Sequence, residues 1–222
     1  MDLDKHALNI AQEAPAVAPP VRAADAIVDV LVAHGVEVIF GLPGGPISPI
    51  IDALLDRPEI RVVNTRSEGA ALFAAAGYAH ASGKLGVAMV TTGPGVLNAL
   101  TGLTSAYCDG LPVLLLAGEV ARRNFGRGAL QDGSAYGLHI VEMLRNVTKY
   151  AAEVNDPNRA PAMLRSAIRT AATCLRPARS AAKPAASTST ARRSSITSIT
   201  SCSRPSCAAA MRNGEAVGLS AT

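Results

Sequence analysis

Three short loops hold the residue types in this 222-residue chain that could do chemistry. They are Gly41-Leu42-Pro43-Gly44-Gly45, Thr65-Arg66-Ser67-Glu68-Gly69-Ala70-Ala71 and Thr91-Thr92-Gly93-Pro94-Gly95-Val96-Leu97-Asn98. Each follows a short apolar run that reads as a strand, and open α/β sheets place ligand crevices beyond the carboxyl ends of their strands. Taken singly, the features are ordinary. A glycine after a strand makes a tight turn, and a glutamate in a first helical turn is commonly a surface carboxylate stabilised by the helix dipole. A strand, glycine loop and helix in succession also bind anions at the helix N-terminus, so a dinucleotide- or phosphate-binding module is the alternative. Gly93-Pro94-Gly95 lacks the third glycine of the nucleotide fingerprint, although Glu119 after the next strand could mimic its ribose-binding acid.

Other reactive side chains offer less. His6, His34, His80 and His139 fall in the leader or near predicted helix ends and loops, where solvated or capping roles fit better than catalysis. Cys108, Cys174, Cys202 and Cys207 have no zinc-ligand spacing and no regular disulfide framework. Cys108 lies among small and apolar residues and reads as a buried free thiol.

The elements that must position the loops alternate in type. Ala23, Ala24, Ile27, Val28, Leu31 and Val32 recur at helical spacing and stop at His34-Gly35. Val36–Phe40 reads as a strand, Pro46–Asp56 as a helix, Ile60–Val63 as a strand and 67–82 as an alanine-rich helix. Gly86–Thr91 is the third strand, Val96–Tyr107 a helix and Pro112–Ala117 the fourth strand. A weaker strand is expected near Val147–Tyr150, followed by a helix from about Asn158 to Thr173 behind the Asn155-Asp156-Pro157-Asn158 turn. Continuous apolar strands alternating with helices predict an α/β domain, a parallel sheet with helices on both faces.

Residues 1–20 end in a proline-rich stretch that cannot propagate a helix and are expected to be a flexible leader. The domain is expected over 21–173. Residues 174–222 hold seven Lys or Arg against the single acid Glu215, so the +4 formal charge of the chain belongs to this end; the rest balances at −2. The segment is rich in Ser, Ala and Arg, carries no aromatic residue and keeps no apolar period. It cannot bury enough apolar surface to offset its chain entropy, so a disordered basic tail is expected. Out-of-frame translation of a GC-rich coding sequence would produce this composition. Basic charge without aromatic interleaving gives no case for a nucleic-acid partner. The absence of any run of about 18 apolar residues argues against a membrane span. An acidic start with no apolar segment argues against a secretory signal and for a cytoplasmic setting.

Together the three loops, in this order and spacing, resemble the N-terminal pyrimidine-binding domain of thiamine-diphosphate enzymes of the acetolactate synthase-like group. The match includes Phe40-Gly41-Leu42-Pro43-Gly44-Gly45, Arg66-Ser67-Glu68-Gly69-Ala70-Ala71, Gly77-Tyr78-Ala79 and Thr92-Gly93-Pro94-Gly95 through Asn98. It continues through Asp109-Gly110-Leu111-Pro112-Val113, Gln131-Asp132 and Val147-Thr148-Lys149, covering about residues 21–173. Leu42 stands where many acetolactate synthases carry an aromatic residue and Leu97 where they carry a hydroxyl; both departures bear on the substrate rather than on the family.

The resemblance implies a definite chemistry. A glutamate at the Glu68 position hydrogen-bonds N1′ of the cofactor's aminopyrimidine and favours the tautomer that deprotonates the thiazolium carbon. A carboxyl group in an apolar crevice has its charged form disfavoured, so it can share a proton with a ring nitrogen near neutral pH. The cofactor then serves as electron sink for a decarboxylated 2-oxo acid. By the same resemblance Pro43 and Gly44 line the pocket, Gly93-Pro94-Gly95 admits the ring to the backbone, Asn98 fixes the following helix turn and Gln131 faces the substrate. The family pairs such domains, so a homodimer is implied. It binds the diphosphate through magnesium on another domain, marked by a Gly-Asp-Gly motif and a downstream asparagine pair that residues 110–222 do not contain. The expectation is therefore the pyrimidine half of a site in a truncated chain, inactive alone.

Overall fold

The computed structural model describes residues 21–173 and the backbone of 218–221. Helix α1 (Ala23–Ala33) leads to strand β1 (Val38–Gly41), and a 3-10 turn at Gly45–Ile47 opens α2 (Ser48–Leu55). Then follow β2 (Arg61–Asn64), α3 (Glu68–Ser82), β3 (Gly86–Val90), α4 (Pro94–Asp109) and β4 (Val113–Gly118). Beyond β4 come a 3-10 turn at Arg122–Asn124, a short α5 (Ile140–Leu144), β5 (Ala152–Glu153), α6 (Ala160–Ala172) and β6 (Gly218–Ala221). The strands lie in the order β2-β1-β3-β4-β6-β5, every neighbour parallel.

Every residue of β3 and β4 is buried, which is why their sequences read as unbroken apolar runs rather than alternating ones. Successive side chains nevertheless serve opposite faces. Val87, Met89, Leu114 and Leu116 join Ile27, Leu31, Ile50, Leu54, Leu164 and Ile168, so α1, α2 and α6 cover one face. Ala88, Val90, Leu115 and Ala117 join Leu72, Ala75, Val96, Leu103, Ile140 and Leu144, so α3, α4 and α5 cover the other. Each wholly buried Leu or Val contributes roughly 1.5–3 kcal/mol by leaving water.

Helices α3 and α4 approach closely because Gly102 lies against Leu72: a β-carbon there would stand 2.6 Å from the Leu72 Cβ. Ser67 caps α3 by accepting the Ala70 amide on its hydroxyl at 3.2 Å, and Gly83 ends it in the left-handed conformation at φ 69°. Proline at the first position of α4 starts that helix at Pro94, two residues before its apolar period begins.

The layered α/β expectation holds, with helices on both faces of a parallel sheet. The strand expected near Val147–Tyr150 lies instead at Ala152–Glu153. Val147 and Thr148 are used to close the turn after α5: the Val147 amide donates to the Leu144 carbonyl at 3.0 Å and the Thr148 hydroxyl donates to the same carbonyl at 2.6 Å. Cys108 is exposed rather than buried, because the inward face of α4 is taken by Val96, Ala99, Leu103 and Ala106. The expected leader at 1–20 and, of the expected tail at 174–222, residues 174–217 and 222 lie outside the described residues; Gly218–Ala221 form the strand between β4 and β5.

Candidate functional site

The loops that follow β1, β2 and β3 meet at the carboxyl edge of the sheet. The Thr65 amide donates to the Gly41 carbonyl at 2.8 Å and the Leu42 amide to the Met89 carbonyl at 3.3 Å, tying the three chain crossings together. Thr91 fills the space between two of the loops: β-carbons on Gly44 and Gly95 would stand 2.8 Å and 2.9 Å from its side chain.

Glu68 is the first residue of α3 and is buried, at 8% exposure. The Asn98 side-chain amide donates to its Oε2 at 3.3 Å. Its Oε1 lies over the backbone of Gly95, where a β-carbon would come within 3.4 Å. Glu68 begins one helix and Gly95 lies in the first turn of another, so the positive ends of two helix dipoles converge on the carboxylate. Gly93 caps α4 at φ 53°, a conformation L side chains rarely adopt, and a β-carbon on it would stand 2.6 Å from the Gln131 carbonyl oxygen.

Gly44, Glu68, Gly93, Pro94, Gly95 and Asn98 are thus brought together, with Pro43 exposed at the loop before Gly44. Gln131 joins them through its backbone: it holds φ 61° and its carbonyl oxygen is 3.1 Å from the Thr92 hydroxyl. Its own side chain is exposed.

Behind this rim Glu119, which the sequence offered as a ribose-binding acid, proves to be a buried group with partners inside the protein. Thr92 is 1% exposed and its hydroxyl is 2.5 Å from Oε1 of Glu119, itself 7% exposed. The Val120 and Gly133 amides donate to the same oxygen at 2.8 Å and 3.2 Å. Glu119 is therefore bonded within the protein rather than offered to a ribose, which removes the feature that had supported the dinucleotide alternative. Its position directly after the wholly apolar β4 was the available signal, since a carboxylate entering a core needs donors.

Asp132 organises the loop that carries Gln131. Its carboxylate accepts the Gly126 and Ser134 amides at 2.9 Å and 3.0 Å. Burial pushes this acid upward, but the bonds from Ser134 and Gly126 outweigh it and hold the carboxyl below its ordinary value. Glu153 shifts the other way, raised by burial first and by the charge of Glu119 second, with Arg122 opposing.

The histidines among the described residues take capping positions or stay in solvent. His34 caps α1, with Nδ1 2.8 Å from the Val30 carbonyl, His139 precedes α5 at φ 52°, and His80 is exposed in the last turn of α3. A shallow cavity lined by Leu103, Ala106, Tyr107, Val147 and Lys149 opens at the far end of α4, away from Glu68. Among the described residues no three His, Cys, Asp or Glu side chains are arranged to hold a metal ion. No helix among them is long and apolar enough to cross a membrane.

Residues 21–138 match the family described as thiamine pyrophosphate enzyme, N-terminal TPP binding domain. The chain is 40% identical over 152 residues to a probable acetolactate synthase large subunit of Methanocaldococcus jannaschii, covering 68% of this chain and 25% of that protein. It is 44% identical over 118 residues to an acetolactate synthase of Mycobacterium avium, covering 53% of this chain and 19% of that protein. With the chloroplastic acetolactate synthase of Arabidopsis thaliana it shares 38% over 149 residues, 67% of this chain and 22% of that protein. The chain spans about a quarter of the length of the relatives it matches.

Proposed function

The chain belongs to the thiamine pyrophosphate enzymes as their N-terminal cofactor-binding domain, and on that premise we propose that the crevice beside Glu68 seats the aminopyrimidine half of thiamine diphosphate. The observation that carries the reading is the buried Glu68 carboxylate, held by Asn98 at one oxygen and facing the glycine backbone of α4 with the other. That arrangement fits the group. A flat ring needs a wall without side chains, and a β-carbon at Gly95 would fill the wall. A basic ring nitrogen needs a fixed carboxyl group within hydrogen-bond reach.

In this reading Glu68 holds the proton shared with the ring nitrogen, and Asn98 keeps the carboxyl plane from rotating away. Gly93, Pro94 and Gly95 admit the ring, Pro43 and Gly44 close the pocket behind Glu68, and Gln131 faces the substrate. Bound thiamine diphosphate supplies a nucleophilic carbon and an electron sink for a 2-oxo acid. The relatives' names favour acetolactate synthase-like chemistry, which we read as carboligation or decarboxylation by a transferase or lyase; the cytoplasmic setting is proposed independently of those names. The diphosphate and its magnesium would be held by a further domain, and a homodimer would bring two copies together; half-exposed Phe73 on α3 supports pairing at that helix.

The experiment is a titration of the full chain with thiamine diphosphate and magnesium, followed by amide chemical shifts. Shifts at Gly93–Asn98 that Glu68→Ala abolishes are expected. A saturable response elsewhere, or one indifferent to Glu68→Ala, overturns the reading.

A further inference from the structure

We infer that Glu119 is a positioning residue that fixes Gln131 at the rim of the Glu68 crevice, acting through Thr92 and Gly133. The inference rests on the reading that this crevice seats the cofactor, since only then does the placement of Gln131 matter to chemistry.

The chain of contacts is short and buried. Glu119 follows β4 directly, so its backbone is set by the centre of the sheet. Its Oε1 gathers three donors from three places: the Thr92 hydroxyl at the end of β3, the adjacent Val120 amide, and the Gly133 amide from the loop after the second 3-10 turn. Thr92 is one residue before the Gly93 cap of α4; its single hydroxyl proton goes to Glu119, the shorter contact, and the Gln131 carbonyl packs 3.1 Å from the same hydroxyl oxygen. One carboxylate thereby joins the loop that starts α4 to the loop that carries Gln131.

The geometry at Gln131 explains the need for an anchor. A non-glycine residue at φ 61° is a costly conformation that persists only where its surroundings hold it. The segment that follows is closed on itself, with the Leu138 amide on the Asp132 carbonyl at 2.9 Å and the Ile140 amide on the Gly133 carbonyl at 3.0 Å. Internal bonds of that kind shape a loop without fixing where it sits. Buried Ile140 and partly buried Leu138 seat the far end of the segment on the sheet face, and Glu119 adds a buried polar tie at its start, joining residues 131–133 to the sheet edge with the Thr92 hydroxyl. The hydrogen bonds of Glu119 and Thr92 go to Val120, Gly133 and the Gln131 loop and that of Glu68 goes to Asn98, so the role is separable from proton handling.

The same geometry makes acceptor capacity, not charge, the requirement. A glutamine at position 119 keeps a carbonyl oxygen where Oε1 stands, whereas a leucine of similar volume takes that acceptor from the buried Gly133 amide and the partly buried Val120 amide and leaves the Thr92 hydroxyl only the Gln131 carbonyl.

Hydrogen exchange of the full chain without ligand tests this independently of the cofactor. In Glu119→Leu the amides of Val120 and of 131–134 are expected to exchange at least tenfold faster, while those of β3 change less than threefold. Glu119→Gln is expected to stay within threefold of wild type throughout. Thr92→Val and Thr92→Ser form a second pair, Val releasing 131–134 and Ser retaining it. Unchanged exchange in Glu119→Leu, a rise no larger than that of β3, or failure of Glu119→Gln to restore protection overturns the inference. A loss of thiamine diphosphate response in wild type would sink the cofactor reading and leave these rates untouched.

Discussion

Asn98, in the second turn of α4, donates its side-chain amide to the carboxylate of Glu68, the first residue of α3, at 3.3 Å. The bond crosses between two helices whose N-termini converge, so the direction of the carboxyl group is set jointly by both. Asn98 itself is exposed while Glu68 is buried, which places the pair at the boundary between solvent and core. A charge-assisted bond of this kind contributes about 1.5–3 kcal/mol when its partners are held in place. The 3.3 Å length and the exposure of Asn98 put this one at the lower end.

Asn98→Ala is accordingly expected to weaken thiamine diphosphate binding by about tenfold, the equivalent of about 1.4 kcal/mol. Its melting temperature should barely change, because the residue packs little. Isothermal titration alongside a thermal melt reads both quantities.

Gly93→Ala is expected to be worse than its size suggests. The new methyl group would meet the Gln131 carbonyl at 2.6 Å, and alanine at φ 53° is strained besides. A loss of about 1–3 kcal/mol follows from strained backbone of this kind. Urea unfolding measures it, and a Gly93→Ala midpoint equal to wild type would contradict the close approach of cap and loop.

Leu114→Ala removes a fully buried side chain from the face covered by α1, α2 and α6. Such truncations cost about 2–5 kcal/mol through lost burial and the cavity left behind. The effect should appear in the unfolding midpoint with the slope unchanged.

Glu153 makes stability depend on pH in an unusual direction. Its folded pKa is raised above the ordinary 4.5, chiefly by burial, so the native state holds the proton more tightly than the unfolded chain. That contribution is present below about the unfolded value and is lost as pH rises through the folded one. Glu153→Gln should therefore stabilise the protein slightly at neutral pH, by a few tenths of a kcal/mol given the partial exposure. The advantage should vanish near pH 4. Paired unfolding curves at pH 4 and pH 7 check the sign.

These 222 residues on their own are expected to convert no pyruvate even with magnesium and thiamine diphosphate present, because they span about a quarter of the length of the relatives they match and the proposal puts the diphosphate on a further domain. Sustained pyruvate consumption above buffer would refute that division of labour.

Much of this was legible in the sequence for a physical reason: strands buried on both faces leave unbroken apolar runs, as in Gly86–Val90 and Val113–Gly118. The glycine loops and Glu68 were visible because backbone approach and a helix-start carboxylate each require particular residue types. The rest depended on partners far apart in the chain. Val147 looks like a strand residue locally, yet its amide is taken by Leu144. Glu119 looks available for a ligand until Thr92 and Gly133, 27 and 14 residues away, are seen bonded to it. Cys108 reads as buried because composition around it is apolar, whereas the angular position on α4 decides its exposure.

The division between helix-borne and loop-borne residues has a consequence for inheritance. Glu68 and Asn98 sit on α3 and α4, whose close crossing at Gly102 tolerates little change. Gln131 sits on a separate self-closed loop, joined to the sheet edge through the small buried hub at Glu119 and Thr92. Under the proposed function, descendants of this scaffold could therefore rewrite the loop proposed to face the substrate while passing on the Glu68–Asn98 pair unaltered.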